Sequence, residues 1–187
     1  MEPDILGVIL DSSVVIDAER QHLTAAQFLS EIVEKIGDVA AALCVITAAE
    51  LIHGVYRAET AERRERRRAF LDDLKSAVPI FPITENTAEL IGRIGAESTA
   101  MGVTIPFDDL LIGACALERG YAVATRNQRH FRLIPGMKLI PLYYPVDCLC
   151  SSCPPLRRTT PGRVIIPEAL RPYLGADRIT PEPRPFN

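Results

Sequence analysis

Apolar residues along this chain fall into two kinds of run. The first is short and continuous: "ILGVIL" at 5–10, "ALCVI" at 42–46, "IFPI" at 80–83, "YAVAT" at 121–125 and "KLI" at 138–140. Runs of that length, bounded by charge or turn residues, suit strands buried on both faces, as in a parallel sheet. The second kind recurs at helical spacing. In 24–37, Phe28, Leu29, Ile32 and Ile36 share one face, Thr24 can cap the start and Gly37 can end it. Further helices are expected from Thr47, across "TAERRERRRAFLDDLKSA", over 84–102, and from Asp108 to a stop at Gly120.

Strand and helix alternate throughout, without a tandem repeat. The expectation is an α/β fold, a three-layer sandwich on a mostly parallel central sheet. The pattern breaks near Pro141, since residues 141–187 hold ten of the fifteen prolines and three of the five cysteines. The chain therefore reads as a domain at 1–140 and an irregular, Pro-rich C-terminal extension at 141–187.

With 187 residues and 48% hydrophobic residues, one ordinary globular core can form. The net charge of −3 gives no global attraction for nucleic acid, so an anionic partner would need a local basic patch or bound cations. The N-terminus lacks the shape of a signal peptide, and "VAAALCVITAAELIHGV" contains Glu50 and His53 and is too short for a comfortable membrane span. A cytoplasmic, reducing location without membrane contact is expected. Cys44 and Cys115 are expected as small core residues.

The acids fall where open α/β sheets bind ligands, beyond the carboxyl ends of the strands. Asp11 follows the first strand, Glu50 lies one turn into the helix after the second, Asp108 and Asp109 open the helix before the fourth, and Asn127 follows the fourth. Carboxylates sharing a cleft repel one another, and a hard divalent cation relieves this. Each acid also has a plainer reading. Thr47 and Glu50 match a capping box. Asp108 or Asp109 can serve a helix N-terminus, and Asp11 can form a turn. Asp17, in a short helical stretch, is expected at the solvated surface. Phosphate-cradling glycine loops and a nucleophile elbow are absent from the sequence. His22, His53 and His130 lack zinc spacing and are expected as surface or packing residues.

Taken together, "VILDSSVVIDAER", "VITAAELIHGV" and "IPFDDLLIGACALERGYAVATRNQRHF" resemble, in order and spacing, the PIN-domain proteins, and among them the VapC-type ribonuclease toxins of toxin–antitoxin pairs. The resemblance spans about 5–140. It implies a Mg²⁺- or Mn²⁺-dependent endoribonuclease in which Asp11, Glu50 and Asp109 hold the ion and a metal-activated water leaves a 5′-phosphate and a 3′-hydroxyl. It makes Asp108 a neighbour of the third acid and places supporting hydroxyls at Ser13 and Thr125. Asn127 stands at the fourth acidic position, a departure that removes one negative charge. The resemblance also implies a homodimer and a cognate antitoxin. The apolar faces at 24–36 and 47–57 suit either a dimer or the core.

For RNA contact, Arg126, Arg129 and Arg132 adjoin the expected site. "ERRERRRAF" is either a solvated, ion-paired helix or a phosphate-tracking patch. In the extension, "CLCSSC" lacks a fourth zinc ligand. Residues 162–179 resemble the first half of an AbrB-type swapped hairpin, with the second half missing. The competing expectation is a catalytically weak or silent PIN-like interaction module whose tail binds nucleic acid or blocks the site.

Overall fold

The computed structural model describes residues 5–142 and the short strands at 158–160, 163–165 and 178–179. Two compact units separate, Met1–Tyr143 and Tyr144–Asn187. The first carries strands β1 (Gly7–Leu10), β2 (Ala40–Cys44), β3 (Ile80–Phe81), β4 (Ala122–Thr125) and β5 (Leu139–Pro141). Its helices are α1 (Ser12–Arg20), α2 (Ala25–Ile36), α3 (Val45–Tyr56), α4 (Ala61–Ala77), α5 (Glu85–Ala100), α6 (Phe107–Glu118) and α7 (Gln128–Phe131).

The five strands form one parallel sheet in the order β3-β2-β1-β4-β5. Helices flank it in a three-layer α/β sandwich, as the alternating pattern predicts. Val8, Ile9 and Leu10 of β1 and Ala122, Val123 and Ala124 of β4 are all fully buried, which is why both strands read as unbroken apolar runs. Ile9 and Val123 join Ile94 of α5 and Leu110, Ile112, Cys115 and Ala116 of α6 in one core cluster. Both buried cysteines, Cys44 and Cys115, are free thiols in that cluster. Gly7 sits where β1 crosses closest to its neighbours: a Cβ there would meet the Tyr121 ring at 2.5 Å and the Ala40 carbonyl at 2.6 Å.

Caps mostly fall where the sequence puts them. Thr24 and Thr84 close capping boxes on α2 and α5, Thr60 caps α4, and Gly120, at φ 67°, stops α6. Helix α3 is the exception. It starts at Val45, so Thr47 lies inside its first turn, fully buried with an unpartnered hydroxyl. The Thr47–Glu50 capping box does not form, and capping does not account for Glu50.

In the second unit, β6 (Arg158–Thr160), β7 (Arg163–Ile165) and β8 (Arg178–Ile179) pair antiparallel in the order β6-β7-β8. "CLCSSC" and most of the AbrB-like stretch at 162–179 lie outside the described residues.

Candidate active site

Strand order reverses around β1: β2 lies on one side of it and β4 on the other. That switch point opens a crevice beyond the carboxyl ends of the two strands. Asp11 is the first residue past β1, and its N–H still donates across to the Ala124 carbonyl of β4 at 3.0 Å. It is 5% exposed and caps α1. Its Oδ2 accepts from the Ser13 hydroxyl at 2.5 Å and the Thr125 hydroxyl at 2.8 Å. None of these bonds uses Oδ1. Thr125 in turn accepts from the Asn127 N–H at 2.9 Å, and Ser13 accepts from the Arg126 N–H at 3.1 Å. The two hydroxyls expected from the sequence thus lock the first carboxylate and tie it to the turn after β4.

Asp109 projects from the first turn of α6, beside exposed Asp108. The His130 Nδ1–H donates to Asp109 Oδ2 at 2.7 Å. The Asn127 amide faces the same ring nitrogen at 3.2 Å. That nitrogen's one proton goes to Asp109, so the amide lies against the ring without sharing that hydrogen bond. His130 is therefore an orienting group, and the surface or packing role expected of it is corrected. It stands 21 residues from its partner, on the one-turn helix α7, with no local signal to announce it.

Glu50 completes the set from α3. Its Oε2 is buried and has no hydrogen-bond partner. An unmet buried oxygen costs about 1–3 kcal/mol, more when charged. Burial pushes the Glu50 carboxyl above the usual range, and the charges of Asp11, Asp108 and Asp109 push the same way, against a Ser12 hydroxyl that lowers it. Asp109 is also raised, first by burial and then by Asp11 and Asp108, while His130 works to lower it. The four acids therefore sense one another as a cluster.

Among the described residues, no three His, Cys, Asp or Glu side chains close into a preformed metal cage. The donor set still fits a hard cation. The donors are carboxylate oxygens, Oε2 of Glu50 is buried without a partner, and burial followed by the neighbouring carboxylates raises the proton affinity of Glu50 and Asp109. Mg²⁺ in particular retains its waters and needs only one or two direct carboxylates rather than an all-protein cage.

Two further expectations change. Asp17 is buried and ion-paired with Arg126, not solvated. That pair commits Arg126 to holding α1 against the turn after β4. Arg132 donates to Gln128, whereas Arg129 is exposed. On the segments considered for a dimer, Phe28, Ile32, Leu51 and Val55 are at most 8% exposed, whereas Val33 and Tyr56 are 43% and 66% exposed.

Comparison with known proteins follows the same stretch of chain. The PIN domain family matches residues 8–136. Ribonuclease VapC1 of Rickettsia felis is 29% identical over 135 residues, covering 72% of this chain and 96% of that protein. The tRNA(fMet)-specific endonuclease VapC of Salmonella typhimurium is 32% identical over 100 residues, 52% of this chain and 73% of that protein. Among solved structures, DNA-bound VapBC from Salmonella typhimurium matches with a TM-score of 0.62 at 25% identity, covering 73% of this chain and 98% of that one. VapBC-5 from Mycobacterium tuberculosis matches at 0.58 and 26%, covering 73% and 99%. Among the described residues, no helix is long and apolar enough to cross a membrane. The acids at the β1–β4 switch point lie inside the matched stretch, and the chain belongs to the PIN-domain family, as one of its VapC ribonucleases.

Proposed function

We propose that this protein is a Mg²⁺- or Mn²⁺-dependent endoribonuclease, the toxin of a toxin–antitoxin pair. The observation that carries the reading is Glu50: a buried, unpartnered carboxylate oxygen whose proton affinity is raised first by burial and then by three neighbouring acids. A fold keeps such a group at a cost, and the cost is offset when a cation binds.

Asp11, Glu50 and Asp109 would hold the ion. When bound, it supplies an activated water and neutralises charge building on the phosphate. The chain's own groups set the geometry. Ser13 and Thr125 fix Oδ2 of Asp11 and leave Oδ1 available. His130 fixes Oδ2 of Asp109. Asn127, bonded through its backbone to Thr125 and with its amide against the His130 ring, stands beside both and orients solvent. As a neutral group it adds no further repulsion to the cluster.

The similarity to VapBC-5, a member of the VapBC family of toxin–antitoxin systems, supports a protein antitoxin as partner. A homodimer belongs to the same proposal, tested by light scattering on the full chain. Transfer RNA is the first substrate class to try, because the Salmonella relative bears tRNA(fMet) in its name. The test incubates the purified chain with transfer RNA and unstructured RNA, with Mg²⁺, Mn²⁺ or EDTA. Cation-dependent internal cleavage leaving 5′-phosphate ends supports the reading. RNA binding without cleavage under every condition selects the silent interaction module instead.

A further inference from the structure

The arginine-rich run of α4 is mostly occupied. Arg66 and Arg67 both pair with Glu19 of α1, each at 3.5 Å. Arg67 also donates to the Gly54 carbonyl of α3 at 2.8 Å. Arg64 donates to the Ala58 carbonyl at 3.5 Å. Arg68 stacks over the Tyr56 ring, 5.4 Å from its centroid. These contacts fasten α4 to α1 and α3. Among the described residues, Arg63 is the one arginine of the five whose side chain makes no such contact.

Arg63 is not alone at its end of α4. It lines an open groove with Arg20 at the end of α1, His53, and Arg57 just past α3. Arg20, His53, Arg57 and Arg63 are all exposed, and among the described residues none has an ion-pair partner. Two acids also line the groove, exposed Glu59 and half-buried Glu50. The floor is set by Gly54 and Arg67, already bonded to each other. A protein with net charge −3 thus concentrates three unspent guanidinium groups in a groove whose lining includes Glu50 of its acidic site. Such groups, presenting donors and no acceptors, match phosphate oxygens.

We propose that Arg20, Arg57 and Arg63, with His53, bind successive phosphates of a single-stranded RNA segment and lead it along α3 and α4 to Glu50. This rests on the nuclease reading and deepens it: the groove adds phosphate contacts to the one expected of Arg129. Phosphates are favoured over a protein partner because Arg20, His53, Arg57 and Arg63 are exposed cationic or polar groups without ion-pair partners among the described residues; the apolar side chains Val15, Leu51, Val55, Phe70 and Leu71 line an adjoining pocket between α1, α3 and α4 that shares Arg20, Glu50, Gly54 and Arg67 with the groove.

The test measures binding of a short fluorescent single-stranded RNA to the full chain in EDTA, so that no cleavage occurs, across a salt series. Arg20→Gln, Arg57→Gln and Arg63→Gln are each expected to weaken binding and to flatten the slope of log affinity against log salt by about 0.7 per lost contact. Arg93→Gln, on α5, leaves both unchanged. The triple Lys variant retains most of the affinity and, like each Gln variant, melts as the parent does. In cleavage assays the Gln variants raise KM and spare kcat. Unchanged affinity and slope in the triple Gln variant overturn the proposal, and so does loss of antitoxin binding with RNA binding intact. Arg-dependent RNA binding by a chain that cleaves nothing leaves the groove standing and removes the nuclease reading alone. A chain that binds no RNA removes the groove.

Discussion

His130 Nδ1 lies 2.7 Å from Asp109 Oδ2, and this contact decides how the third acid of the site is aimed. The ring comes from α7 and the carboxylate from α6, so the bond also fastens the turn after β4 to the helix that precedes it. Removing an orienting partner of a metal-binding carboxylate typically costs about 10–100-fold in affinity or activity. His130→Ala is expected to lose RNA cleavage and Mn²⁺ affinity within that range while its melting temperature moves little. Equal loss of folding stability and activity would assign His130 a structural role.

Glu50 and Asp109 make the metal-free protein sensitive to pH in an unusual direction. Their folded proton affinities are raised, so the native state holds protons that the unfolded chain has released. Between the ordinary carboxylate range, about 4, and the elevated folded values, their contribution to stability falls as pH rises. In EDTA, Glu50→Gln should therefore melt above the parent at neutral pH, and the difference should shrink as pH falls below the folded value. Glu118 shifts the opposite way and is common to both proteins, so it cancels from the comparison. Thermal melts from acid to neutral pH check this.

Divalent cation should reverse that penalty. Mn²⁺ at 100 times its dissociation constant would stabilise the parent by about 2.7 kcal/mol and Glu50→Gln by less. A parent whose melting temperature ignores Mn²⁺ would remove the electrostatic case for an ion.

Arg126 and Arg129 are neighbours in sequence but not in role. Arg126 is tied to buried Asp17, and breaking a charged hydrogen bond of this kind costs about 1.5–3 kcal/mol, toward the lower end because the guanidinium is 37% exposed. Arg126→Ala should lower the melting temperature. Arg129→Ala should leave it unchanged and weaken RNA binding.

Gly7→Ala should destabilise without touching the site. The new methyl meets a backbone carbonyl at 2.6 Å, which cannot swing away as a side chain can. Overpacking of this kind costs about 1–3 kcal/mol, read as a lower denaturation midpoint with kcat preserved in the folded fraction.

Local signals were strong wherever a segment's environment is uniform along its length. β1 and β4 are buried on both faces, so their sequences are continuous apolar runs that stop at Asp11 and Thr125, and the switch point follows from strand order. Val45 and Ile46 look like strand because they are β-branched and extend the run of β2. They enter α3 instead, carrying Thr47 into the interior and freeing Glu50 from a capping role. The pairs Asp109–His130 and Asp17–Arg126 span 21 and 109 residues, and helix α7 has four residues, too few for a periodic pattern. Contacts made only by the folded chain leave no local trace, which is why one histidine and one aspartate of the site region read as surface residues.

Calorimetric titration of the metal-free protein with Mn²⁺ tests the shared cation site most directly, with Asp11→Asn, Glu50→Gln and Asp109→Asn alongside. The account predicts saturable binding by the parent, at least about 100-fold weaker in Asp11→Asn, the equivalent of roughly 3 kcal/mol, and weaker binding in the other two. Binding of equal strength in all four folded proteins, or none in the parent, would contradict it.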